Sequence, residues 1–303
     1  MSLTSFTSLP HVRERFDETY PNQGNRPQSE MVAPPQTTNY ALIGTAFDYL
    51  LRFYLEIEVD EVRASPWVAE VARDVATDYY PDRVDEVNAV LNRARSNLDT
   101  YHKTGTISRN LLEASLDLAR IDRIYRDGTV PEDLGRYAEG DIIDLIQLIH
   151  TATDADVFAG ESAVLNPEFG WASQLMAGAD ADVILDGALI DVKVTKIPTF
   201  KADYWRQLVG YLVCADIHAS LSESGYYTER GFDQSVNTPF QSLPEVTTFG
   251  VFFARHGEFI SYPASLVYDH PDYETFRAWI LDEAAGDAQR AEVLGLDAVR
   301  EAL

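Results

Sequence analysis

The sequence predicts a mixed α/β fold (α+β), helical in its first half and strand-rich in its second. Three observations lead there. Apolar residues recur at helical spacing across 40–58, and four more helical stretches follow as far as residue 152. After Thr153 the period changes, and short β-branched or aromatic runs stand between turn signals. One helical stretch interrupts those runs, so the second half reads β–β–β–α–β.

Taken in order, residues 1–38 are rich in Pro, Ser, Thr, Asn and Gln, with Pro34 and Pro35 adjacent, and predict a mobile, loosely draped segment. Ala41, Leu42, Ala46, Phe47, Leu50, Leu51, Tyr54 and Leu55 then mark an amphipathic helix within 39–59. Helices follow at about 66–79, 83–102, 108–126 and 131–152, with Pro66, Pro81 and Pro131 at expected helix starts, so 60–152 reads as all-α. Strands are expected at 157–165, 181–186, 188–195 and 246–254, and a helix at about 202–220. The Gly/Ser/Asn/Pro-rich stretch 225–244 is a surface loop, and a hairpin at His256 and Gly257 leads to helices near 272–285 and 287–302. The stretch 153–303 thus forms one strand-based unit.

Composition narrows the function classes. The 303 residues are 46% hydrophobic and 24% charged, with no run long enough to span a bilayer. Residues 1–10 lack the layout of a secretory signal, which together with a single cysteine, Cys214, favours the cytoplasm. One thiol also excludes a multi-cysteine zinc site or an iron–sulfur cluster built from this chain. The net charge is -25, from 49 acidic against 24 basic residues of which only four are lysine. Such a surface repels nucleic acid at low salt. Because the acidity runs the whole length of the chain, it suggests halophilic adaptation, in which molar salt screens self-repulsion.

The stretch 178–196, GADADVILDGALIDVKVTK, carries the chemistry. Asp186-Gly187 between two apolar runs signals a two-residue type I′ turn. That turn sets Leu185 against Ala188, Ile184 against Leu189, Val183 against Ile190, Asp182 against Asp191, and Asp180 against Lys193. By alternation Asp180, Asp182, Asp191 and Lys193 share one face, while Val183, Leu185, Ile190, Val192 and Val194 enter the core on the other. Two facing carboxylates repel unless a cation lies between them. Hard divalent cations such as Mg²⁺ favour this oxygen chemistry, and a nearby ammonium can reach a phosphate oxygen or an attacking water. This arrangement suggests phosphodiester hydrolysis. The competing explanation is an ordinary acidic strand face, with Lys193 paired to one of its aspartates. Against it, three of the four lysines fall between 193 and 201.

The segment resembles the PD-(D/E)XK nuclease superfamily, within it the RecB-like exonuclease branch. Asp182 followed by Asp191-Val192-Lys193 looks like its Asp…(Asp/Glu)-x-Lys motif. Gln207 to Tyr211 is similar to its Gln-x-x-x-Tyr motif, and Gly44-Thr45-Ala46-Phe47-Asp48 resembles its Gly-Thr-x-x-His helix, with Asp48 in place of histidine. Ala181 stands where the name-giving proline would be. The resemblance implies a restriction-endonuclease-like αβββαβ core with 60–152 as a large helical insertion. It implies Asp182, Asp191 and the Val192 carbonyl as ligands of Mg²⁺ or Mn²⁺, with Glu161 and Asp48 as further candidate ligands. Lys193 would orient or activate the attacking water, and Gln207 would hold Lys193 or a phosphate, the alternative being a polar residue that faces solvent. Because basic charge is scarce in this chain, Lys196, Lys201, Arg206 and Arg255 are candidate phosphate contacts, the alternative being surface ion pairs; Tyr211 is a further candidate contact, the alternative being a core residue. The six histidines show no ligand spacing.

The function expected is a metal-dependent DNA nuclease of a defence or repair system, targeted by a separate partner such as a helicase. Two rivals are a nuclease-fold module that binds nucleic acid without turnover, and a protein–protein adaptor built on the helical region. No nucleophile elbow, phosphate-cradling loop or dinucleotide fingerprint supports another enzyme class.

Overall fold

The computed structural model describes residues 2–24, 29–286 and 288–303. The chain opens with two short helices, α1 (Leu3–Ser8), capped by Ser2, and α2 (Pro10–Thr19), which Pro10 begins. Leu3, Phe6, Val12 and Phe16 are buried in a core shared with the C-terminal half. The loosely draped segment expected for 1–38 is therefore corrected over these residues. Apolar side chains three and four apart drive them onto the body, a pattern masked by the polar residues between. Asn25 to Gln28 lie outside the described residues. Further on, the Val32 and Ala33 N–H groups donate to the Arg255 carbonyl, strapping this stretch to the body.

The long helix α3 (Tyr40–Glu58) follows, buried along Ile43, Phe47, Leu50 and Leu51. A short strand β1 (Glu61–Ala64) comes next, then α4 (Val68–Tyr79), α5 (Val84–Thr104), α6 (Arg109–Arg126) and α7 (Glu139–Thr153). The expected all-α 60–152 region thus contains a strand, which pairs parallel with β2 (Ser162–Leu165). Four residues are too few to show a period. The last helix begins at Glu139 because residues before it wrap a buried ion pair: Arg120 reaches the Arg136 carbonyl (2.7 Å), and the Gly135 N–H donates to Asp117 (3.1 Å).

A one-turn helix α8 (Trp171–Leu175) leads to the hairpin β3 (Val183–Leu185) and β4 (Ala188–Lys193). The central helix α9 (Ala202–Glu223) and a short α10 (Tyr226–Glu229) precede β5 (Thr248–Phe253) and β6 (Glu258–Pro263). The chain closes with α11 (Ser265–Tyr268), α12 (Tyr273–Ala285), α13 (Ala288–Leu294) and α14 (Leu296–Ala302).

Among the described residues six strands form one mixed sheet in sequential order, with β1–β2 and β4–β5 parallel and the other pairs antiparallel. Helix α9 supplies the crossover that a parallel β4–β5 pair requires. Apolar side chains cover both faces. Val183, Leu185, Ile190 and Val192 pack with α3 to α7, with Val194 half-buried against the same core. Ile184 and Leu189 face α9 and the terminal helices. Among the described residues no helix is long and apolar enough to cross a membrane.

Candidate active site at the end of a hairpin

The turn positions the site. Asp186 (φ 46°) and Gly187 (φ 80°) are both left-handed, as a type I′ turn requires. A Cβ on Gly187 would lie 2.9 Å from the Glu245 carbonyl oxygen, so glycine is needed there for space as well as for φ. The Asp186 carboxylate accepts from the Glu161 and Ser162 N–H groups at 3.0 and 2.9 Å, pinning the turn to β2. The register then runs as expected, with Leu185 on Ala188, Ile184 on Leu189 and Val183 on Ile190.

Beyond Val183 the ladder ends, and the two strands splay. The Asp182 carbonyl accepts from the Asn166 N–H (2.9 Å), and its carboxylate accepts from the Val192 N–H at 2.6 Å. Asp180 bridges to Glu168, so its expected pairing with Lys193 is corrected. The outcome still gathers the key groups. Asp191, 2% exposed, forms an ion pair with Lys193 at 2.7 Å. Asp191 Oδ2 itself makes that contact, so the buried oxygen is charge-paired although it lies outside strict hydrogen-bond geometry.

Charge crowding is severe at this point. Burial, then the nearby Asp191, push the Asp182 carboxyl up to about 7, against the opposing pull of Lys193 and the Val192 N–H. Asp48 is exposed as a residue on α3, yet protein closes around its carboxyl. That environment, then Asp182, raise its carboxyl well above the usual range. Burial alone would lower Lys193, but Asp191, Asp182 and Asp48 outweigh it and hold the ammonium charged. Asp48, Arg52, Asn166, Asp182, Val183 and Val192 line a cavity of about 20 Å³, room for one water-sized occupant.

Three crowded carboxylates, those of Asp48, Asp182 and Asp191, are the donor chemistry a hard divalent cation takes. In this arrangement no group of three or more His, Cys, Asp or Glu side chains among the described residues closes tightly enough to hold a metal. The Asp191 carboxylate is turned onto Lys193, so cation binding requires these side chains to shift.

The remaining expected residues divide. Asp48 arrives at the site from α3, whereas Glu161 sits beside the Asp186 turn at the far end of the hairpin, too remote to share an ion with Asp182. Its expected ligand role is corrected: β2 presents Asn166 next to Asp182. The Gln207 amide donates to the Tyr211 hydroxyl (2.8 Å), which donates to the Asp180 carbonyl (2.7 Å). Gln207 therefore braces the strand entering the site and does not touch Lys193 or an open phosphate position. Tyr211, 5% exposed, belongs to the core. Arg206 is buried against Asp17 and Asp203, and Arg255 is fully buried against Asp144 (2.7 Å), so both expected phosphate contacts are corrected. Lys196 and Lys201 are exposed.

Three residues escaped the sequence reading. Arg52 and Asn166 line the cavity and bond each other at 3.1 Å. Asn166 takes a left-handed backbone (φ 49°), which asparagine tolerates better than most residues. Arg126, ending α6, is anchored on Asp122 (3.4 Å) and acts electrostatically on Asp48 and Asp180. Only tertiary packing brings it there, and no local signal marked it.

Comparison with protein-family models, curated proteins and solved structures found no match for this chain.

Proposed function

We propose that the protein is a metal-dependent nuclease hydrolysing phosphodiester bonds, with DNA as its substrate. The observation that carries this reading is the convergence of Asp182, Asp191 and Lys193 at one end of the sheet. Asp48 adds a further carboxylate across a cavity of about 20 Å³. The strand order around the hairpin, with a helix before it and a helix and parallel strand after it, supports a restriction-endonuclease-like core.

Asp182 and Asp191 would hold the cation, Asp48 assisting, with the Val192 carbonyl beside them. When bound, Mg²⁺ or Mn²⁺ supplies charge neutralisation at the phosphate and lowers the pKa of water. The protein's own contribution is derivable from the side chains. Released from Asp191, the Lys193 ammonium can donate to a non-bridging phosphate oxygen and orient the attacking water. The Gln207–Tyr211–Asp180 chain keeps the Asp182 strand from drifting. Arg126 at the rim offers a guanidinium to phosphate, a planar fork suited to that group.

The test is cleavage of linear, circular and single-stranded DNA and of RNA in high KCl, with Mg²⁺ or Mn²⁺ against EDTA. Cleavage that needs metal and falls by about 10²–10³-fold in Lys193→Ala and Asp182→Asn is expected. Binding without cleavage would indicate an inactive binding module instead. No interaction with nucleic acid would point to a protein–protein adaptor.

A further inference from the structure

Arg52 stands one helical turn after Asp48 on α3, and its guanidinium, in a residue only 8% exposed, is bonded to three separate places. Nε donates to Glu56 on the same helix (3.1 Å), Nη1 to the Asn166 side-chain oxygen (3.1 Å), and Nη2 to the Ser65 carbonyl. Glu56 alone would balance the charge. The other two bonds leave the helix, reaching the residue after β1 and the residue after β2. Asn166 passes the link on, since its N–H donates to the Asp182 carbonyl at 2.9 Å. Asp48 and Asp182 are thus joined through Arg52 and Asn166 around the cavity of about 20 Å³ that all four line.

Two carboxylates facing one cavity repel, the more so away from water. Left free, the helix and the strand that carry them would drift apart, and two ligands for one cation would be lost. A guanidinium is suited to prevent this, because its planar fork fixes acceptors in several directions, whereas a lysine ammonium is a point charge on a flexible stem. Stability alone does not account for it, since apolar side chains commonly match or better a buried ion pair. Asn166 adds a second fixed point. Its left-handed backbone (φ 49°) turns the chain at the end of β2, and because Arg52 can only donate, the amide must present its oxygen there.

We propose that Arg52 and Asn166 form a clamp that sets the separation of Asp48 and Asp182, and so brings Asp48 within reach of the cation. Arg52 is a positioning residue: each of its three nitrogens already donates to the protein, and it acts through the two aspartates. Strand β1 gains a purpose in this, because its end supplies the Ser65 carbonyl that anchors the guanidinium. The clamp rests on the reading of these acids as a cation site; whether the cation then cleaves DNA does not enter it.

Binding of Mn²⁺ to the full chain in high KCl, followed by the electron paramagnetic resonance of the free ion, tests it. Arg52→Lys keeps the charge and breaks the fork, and Asn166→Gly keeps the left-handed backbone and removes the acceptor. Each should weaken Mn²⁺ binding by about 10–100-fold, the range for partners that orient metal ligands, with parental helix content. Asp48→Asn should lose a similar factor. Combined with Arg52→Lys it should lose no more than the larger single loss, because both changes remove one shared contribution. Asn166→Asp, which still accepts from Arg52, should bind Mn²⁺ at least as tightly as the parent. Parental affinity in Arg52→Lys and Asn166→Gly, or losses that multiply in the double variant, would overturn the clamp and leave the cation site standing. An Asn166→Asp loss equal to that of Asn166→Gly would do the same. If Arg52→Lys does not fold, the two Asn166 variants decide. A parent that binds no Mn²⁺ overturns the cation site and the clamp with it. Coupled Mn²⁺ binding without cleavage of any nucleic acid keeps the clamp and drops the nuclease.

Discussion

Asp122 shows how closely the site depends on buried acids supplied by the helical region. Its carboxyl, 1% exposed, accepts from the Tyr49 hydroxyl at 2.5 Å and anchors Arg126. Burial pushes it up to about 6 despite those two partners, while an unfolded aspartate titrates near 4. The folded chain therefore binds a proton there that the unfolded chain lacks. That contribution to stability is complete below about pH 4 and is lost as pH rises through about 6, an effect on the order of 1–3 kcal/mol. Asp122→Asn keeps an acceptor for Tyr49 and removes the titration. Its urea midpoint should fall less than the parent's between about pH 4 and pH 7, and an equal fall would contradict the assignment. At this scale legibility followed from local geometry. Asp182, Asp191 and Lys193 could be brought to one end of the hairpin because an Asp-Gly turn sets the register as far as Val183 and Ile190, although the expected facing of Asp182 on Asp191 lies beyond the paired ladder. Arg126, Arg52 and Asn166 could not, since helix packing and a left-handed backbone place them, and neither leaves a local pattern.

Among elements, the long periodic ones were readable and the short ones were not. Helix α3 and the crossover α9 announced themselves through many turns of apolar spacing. Strand β1, with only four residues, carries no such signal, and its pairing with β2 is a tertiary matter. The N-terminal pair α1 and α2 was hidden by composition. Phe16 is fully buried, edge-on to Phe276 at 4.9 Å and to Trp279 at 6.3 Å. If these helices are integral to the core, Phe16→Ala should cost about 3–5 kcal/mol in denaturant unfolding. A loss below about 1 kcal/mol would return them to the status of a loose appendage.

For the molecule as a whole, the acidic surface and the candidate chemistry pull in opposite directions. A net charge of -25 disfavours both the compact fold and the approach of a polyanion, and only salt relieves both. Screening shortens to about 3 Å at molar ionic strength, so stability should rise between about 0.1 M and 2 M KCl, read as an increase in melting temperature. A flat or falling curve would remove salt adaptation from the account. The mixed fold class was legible because the periodicity changes near residue 153, whereas the two-sided cover of the sheet was not, since a period-2 pattern reports one apolar face at a time. What the molecule does turns on whether Asp182 and Asp191 can share a cation. The most direct measurement is anomalous scattering from crystals grown with Mn²⁺. A peak within ligand distance of both carboxylates, absent in Asp182→Asn, is the expected result. An empty map at these side chains, or manganese bound only elsewhere, would contradict the central claim.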